Sequence, residues 1–185
     1  TRITAQGDVL IAANSTAAAA GNATLVAGHP SERSPVLDCD DLIVGDVNGG
    51  NGTLTIDGGT VFCNSATFVP GHSVLALRMG KLDCLGAFNW TGGTLVVNSA
   101  YPSLQALLGI GGAADLTAPV LVGTDSGGTI FTSSGAARIN MRSGCDLGQL
   151  GSGDGRLRVH TPVEVHITGP LNVGLQGIGL CVVFG

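Results

Sequence analysis

Val36-Leu37-Asp38-Cys39, Thr60-Val61-Phe62-Cys63 and Lys81-Leu82-Asp83-Cys84 are three versions of one short run. Each ends on cysteine, and the cysteines step by 24 and then 21 residues. Two further runs travel with it. Leu42-Ile43-Val44 returns as Thr67-Phe68-Val69 and, more faintly, as Gly86-Ala87-Phe88. Thr53-Leu54-Thr55-Ile56 returns as Val74-Leu75-Ala76-Leu77 and as Thr94-Leu95-Val96-Val97, with last residues 21 and then 20 apart. Runs that recur in fixed order at a common period indicate a repeating coil. The prediction is an all-β chain, a right-handed parallel β-helix (β-solenoid) with three short strands per coil of about 19–24 residues. Stacked coils pair their strands in parallel about 4.8 Å apart, so like residues form ladders. Cys39, Cys63 and Cys84 are therefore expected above one another, facing the core. A Greek-key β-sandwich is the alternative, because short strands at this spacing suit it too. It does not predict the ladders.

Composition agrees with tight corners. Glycine accounts for 31 of 185 residues, charged residues for 11% and aromatics for 4%. Low charge with 44% hydrophobic residues excludes a disordered chain. Glycine without a Gly-X-Y period excludes collagen. What remains is β structure with many turns, where glycine supplies the positive φ that other residues resist. Net charge is −5, from 13 acidic and 8 basic residues. The basic residues are scattered, with only Arg138/Arg142 and Arg156/Arg158 in pairs, which argues against a nucleic-acid partner. No apolar run approaches a membrane span. The start, Thr1-Arg2-Ile3-Thr4, has no signal-peptide h-region, so synthesis in a host cytoplasm is expected. Five cysteines, an odd number with no Cys-x-x-Cys pair, argue against zinc or redox chemistry. They are expected to be inert reduced thiols, with a disulfide as the alternative.

Two domains of the reading follow from regularity. Residues 1–35 form an N-terminal arm or cap, with Ala17–Ala20 and a Pro-bounded loop at 29–35. Residues 36–185 form the solenoid. Pro102-Ser103-Leu104-Gln105-Ala106-Leu107-Leu108, followed by Gly109, predicts a short inserted helix near 102–108. Strands then resume at Pro119–Val122, Arg138–Met141 and Arg156–Val159, spaced by 19 and then 18 residues. A Val-Gly corner recurs at Val44-Gly45, Val122-Gly123 and Val173-Gly174. A Gly-Gly-Thr corner recurs at Gly58, Gly92 and Gly127. The apolar end, Leu180-Cys181-Val182-Val183-Phe184-Gly185, is expected to be buried, as the last strand of the stack or in a subunit interface.

The stretch Leu42-Ile43-Val44-Gly45-Asp46 through Gly52-Thr53-Leu54-Thr55-Ile56-Asp57-Gly58-Gly59-Thr60-Val61 resembles the Gly/Thr-rich repeats of right-handed β-solenoids. Such repeats occur in autotransporter passenger domains, phage tailspikes and other virion proteins. A chain this short implies, by analogy, a virion accessory protein. The expectation is a non-enzymatic phage capsid cement (decoration) protein on the capsid surface, a homotrimer whose partner is the major capsid protein. Fold alone does not give function. A receptor-binding tail spike, fibre or adhesin fragment is one alternative, and a polysaccharide-degrading β-helix enzyme is another.

Motifs for chemistry are few. Solenoid enzymes that cleave polysaccharides use paired carboxylates in a groove. Asp38, Asp40 and Asp41, with Asp83 one or two coils away, are the nearest match. A row of corner aspartates is the simpler reading. His160 and His166 near Glu164 fit a solvated strand face. Trp90 and Tyr101 are thin for a carbohydrate groove. Asp46 and Asn48 resemble the first ligands of a calcium loop, but Gly50 stands where another oxygen is needed. No catalytic residue, metal, cofactor or small-molecule substrate is expected.

Overall fold

The computed structural model describes residues 2–11, 22–27, 36–46, 49–69, 71, 73–90, 94–101, 105–132, 138–160 and 163–184. Among them there are strands and no helix, stacked in parallel as a β-solenoid rather than a sandwich. The first coil holds β1 (Arg2–Thr4), β2 (Val9–Ile11) and β3 (Asn22–Ala27). Next come β4 (Val36–Val44) and β5 (Asn51–Ile56), then β6 (Thr60–Phe68) and β7 (Ser73–Leu77). From there each coil has three separate strands: β8 (Lys81–Cys84), β9 (Phe88–Trp90) and β10 (Leu95–Val97); β11 (Gln105–Ile110), β12 (Ala114–Leu116) and β13 (Val120–Val122). β14 (Gly127–Thr132), β15 (Arg138–Met141) and β16 (Cys145–Leu147) follow, then β17 (Asp154–His160), β18 (Glu164–Ile167) and β19 (Leu171–Val173). β20 (Ile178–Phe184) lies last on β17.

Alternation along each strand decides what faces in. On the first face, Leu37, Val61, Leu82, Leu108, Ile130, Leu157 and Cys181 form one continuous inner ladder. The neighbouring ladder is Cys39, Cys63 and Cys84, continued by Ile110 and Thr132, and Val159 pairs with Val183 in the last two rungs. The predicted cysteine alignment is therefore observed. On the second face Val44, Phe68, Trp90, Leu116, Met141 and Ile167 stack in register. The third face carries Leu95, Val120, Cys145 and Leu171. Each buried Leu, Val or Ile contributes roughly 1.5–3 kcal/mol. Three aromatics are core residues: the Phe68 ring lies 4.8 Å from Trp90 and 5.8 Å from Phe88.

Corners form where alternation slips. In β4, Cys39 and Leu42 are both buried while Asp40 is exposed between them, so the strand bends from one face to the next. One coil on, Asn64 and Ser65 repeat the bend. Asn64 Nδ2 donates to Asp40 Oδ1 at 3.2 Å, and Ser65 Oγ donates to Asp41 Oδ1 at 2.6 Å. Later coils break at this corner around Gly86 and Gly112. A Cβ on Gly86 would strike the Asn64 carbonyl, and one on Gly112 would strike the Gly86 backbone. The Val-Gly corner is stacked only in part: Val122-Gly123 and Val173-Gly174 follow the third face together with Leu147-Gly148, whereas Val44-Gly45 follows the second. Gly123, Gly148 and Gly174 take φ of +61°, +67° and +66° on successive coils, a conformation that disfavours any side chain.

Three further expectations are corrected. The helix near 102–108 is not formed: Gln105–Ile110 is β11, and 102–104 lie outside the described residues. Ala106, Leu108 and Ile110 alternate inward between the rungs of β8 and β14, and this packing overrides the helix preference of Gln-Ala-Leu-Leu. The 18–19-residue spacing of the later runs is not a rung. Val120, Ile139 and Leu157 sit on three different faces. Gly127 and Gly128 are strand, not corner. Gly128 is required because a Cβ would collide with the Val97 carbonyl. Gly92 and Gly93 lie outside the described residues, as do Ala17–Ala20, residues 29–35 and Asn48. Finally, the apolar end is the last strand of the stack, and within the single chain its side chains stand exposed: Leu180 is 40% exposed and Val183 67% exposed. No described strand lies beyond β20.

Candidate functional site

The carboxylates weighed as a groove pair are kept apart. Asp38, Phe62 and Asp83 are successive rungs of one outward ladder, so Phe62 stands between the two acids. Asp83 is held 2.6 Å from Lys81 Nζ. Asp40 and Asp41 are the corner aspartates described above. Asp46 closes a turn, its N–H donating to Gly50 O at 2.8 Å and its carbonyl accepting from Gly49 N–H at 3.0 Å. Among the described residues no group of three or more His, Cys, Asp or Glu could hold a metal.

The histidines separate. His160 stacks on Phe184, centroids 4.7 Å apart. His166 lies 3.4 Å from Glu164, which accepts from Arg138 Nε at 3.2 Å and Nη2 at 2.8 Å. Arg138, then His166, hold the Glu164 carboxyl below its usual range. Trp90 is buried in the core. Tyr101 is a corner residue whose carbonyl accepts from Ser126 Oγ at 2.8 Å.

All five cysteines are free thiols, four of them buried and Cys181 exposed. Burial, then the charge of Asp38, pushes the Cys39 thiol up to about 11. Burial, then Asp146, pushes Cys145 up to about 12. The Cys84 thiol beside it, and burial, raise Cys63 as well. Cys84 Sγ donates to Ala87 O at 3.2 Å. Cys39, Cys63 and Cys145 therefore stay protonated and unreactive at neutral pH, whereas the hydrogen bond from Cys63 holds the Cys84 thiol below its ordinary value.

Two surface features remain. The first is the C-terminal end of the stack. Inner-ladder residues Leu171, Val173, Cys181 and Val183 are exposed there, flanked by Leu180 and Phe184. β20 is the last strand in the order of the described residues.

The second is a groove of about 300 Å³ on the outer side of the first face. Its residues come from four coils: Lys81, Leu107, Thr129 and Arg156 are consecutive rungs of one outward ladder. Gly109, Phe131 and Arg158 are rungs of the next. A Cβ at Gly109 would meet Phe131 Cζ at 2.6 Å, so the missing side chain lets that ring lie down. Lys81 Nζ stands 5.0 Å from the Phe131 centroid and 5.6 Å from that of Phe62. Arg156 is clamped by Asp154 through Nε at 2.8 Å and Nη2 at 2.6 Å. Gln105 Nε2 donates to the same carboxylate at 3.3 Å and its Oε1 accepts from Thr129 Oγ1 at 3.0 Å. The sequence reading missed this groove. Its signal was the set of outward residues one position removed from each core ladder, visible only once the coils are aligned in register.

In comparison with known proteins, no family model, no curated protein and no solved structure matches the chain.

Proposed function

We propose that the chain is a non-enzymatic structural protein of a virus particle, in its specific form a phage capsid cement protein that assembles through the apolar end of its coil stack. One observation carries this reading: the last coil presents its inner ladder, Leu171, Val173, Cys181 and Val183, to solvent. Exposed contiguous apolar surface is an interaction surface. The major capsid protein is the partner in this reading, and three copies around a shell axis would sum modest contacts by multivalency. The separation of Asp38 from Asp83 by Phe62 favours this over polysaccharide cleavage, which needs two carboxylates flanking one bond.

The test is mass spectrometry of purified particles of the virus whose genome encodes the chain. The chain is expected in stoichiometric amount in the head fraction of intact particles. Its absence from heads overturns the cement reading, and its presence only in tails moves the function to receptor binding.

A further inference from the structure

We propose that the groove over Leu107 and Phe131 binds a small amphipathic acid, whose carboxylate pairs with Arg158 and whose ring or aliphatic body lies on the Phe131 ring. This stands on different residues from the assembly surface and does not depend on it.

Charge pairing gives the reason. Arg78, Lys81, Arg138, Arg142 and Arg156 each have a carboxylate within 4.0 Å. Arg158 is exposed and, among the described residues, is the one Lys or Arg with a described side chain that has no such partner. In the groove, Lys81, Arg156 and Arg158 face Asp83 and Asp154, three cations against two acids, in a chain of net charge −5. The surplus cation sits one rung from Phe131, about 4.8 Å along the stack axis. A guanidinium offers two parallel N–H donors that match a carboxylate.

The rest of the lining is built rather than loose. Asp154 fixes Arg156 and Gln105, and the buried Thr129 fixes the Gln105 amide. Asp83 fixes Lys81 beside the ring. Leu107 and Phe131 are outward-facing apolar residues, half-buried by these neighbours. A volume of about 300 Å³ is the lower end for a small-molecule site. A positioned amide, an apolar floor and one uncompensated cation together describe a ligand with one negative charge and a compact body.

Two sources could supply that chemistry, an aromatic acid or an acidic sugar. Phenylacetate and glucuronate are the probes, titrated into the full chain and followed by amide chemical shifts. Saturable shifts at Gly109, Phe131 and Arg158 with either acid are expected. Phenylacetate alone identifies the aromatic source, and glucuronate alone the sugar acid. The amide of the winning acid should bind at least about tenfold more weakly, and so should the acid with Arg158→Gln, because a charge-assisted pair is lost. Arg138→Gln, on another face, should bind as the parent does. A thermal melt matching the parent's shows that Arg158→Gln folds, and Arg158→Lys should recover part of the affinity. No saturable shift with either acid overturns the proposal. Undiminished binding by Arg158→Gln, or by the neutral amide, also overturns it.

Discussion

Gly155 and Gly151 are four residues apart and play opposite parts. A Cβ on Gly155 would strike the Val122 carbonyl and the Gly148 nitrogen, whereas Gly151 has its nearest neighbour, Gln176 O, at 3.9 Å. Gly155→Ala should therefore lower unfolding free energy by about 1–3 kcal/mol in urea titration. Gly151→Ala should be neutral or gain up to about 1 kcal/mol by restricting the unfolded chain. Equal effects would contradict the close stacking of backbones. Leu108, fully buried between Leu82 and Ile130, should lose about 2–5 kcal/mol on replacement by Ala. The thiols set an alkaline limit. Cys39 and Cys145 hold their protons more tightly folded, at about 11 and about 12, than the ordinary thiol value of 9.0. Their contribution is complete below 9.0 and is lost as pH rises towards the folded values. Urea midpoints should fall across that window, and Cys145→Ala should flatten the fall. Asp115 acts in the opposite sense. Its bonds to Arg142, at 2.6 and 2.8 Å, hold its carboxyl below the usual range. That small contribution is present above the ordinary aspartate range and fades as pH drops through the folded value.

At the scale of strands, legibility in the sequence followed the chemistry of each ladder. The cysteine ladder was readable because the same residue type recurs on three consecutive coils, a small apolar group suited to a narrow interior. Gly123 and Gly174 were readable because a positive φ leaves few residue choices, whereas Gly148 was missed because Leu147 precedes it, and Val44-Gly45 belongs to another corner. β11 was misread because Gln, Ala and Leu prefer helix in isolation, and only neighbours β8 and β14 make Ala106, Leu108 and Ile110 a strand face. The 18–19-residue spacing misled because coils vary in length, so runs on different faces came into near step. The groove was invisible because Lys81, Leu107, Phe131 and Arg158 are each unremarkable outward strand residues. Their meeting depends on inter-strand register, which no local pattern states.

The whole molecule is a column with an apolar floor. In the free chain, maleimide should modify Cys181 quickly and leave Cys39, Cys63, Cys84 and Cys145 unmodified until the chain unfolds. On intact particles Cys181 should become protected if the last coil is the assembly surface, and unchanged labelling would remove that surface from the interface. The architecture itself is most directly tested by methyl–methyl cross-relaxation in protein labelled at Ile, Leu and Val. Val61, Leu82, Leu108, Ile130 and Leu157 should connect as one unbroken chain of neighbours, each seeing only the rung above and the rung below. Cross-peaks that skip rungs, or that link these methyls in the reversed order of an antiparallel sandwich, would contradict a parallel stack.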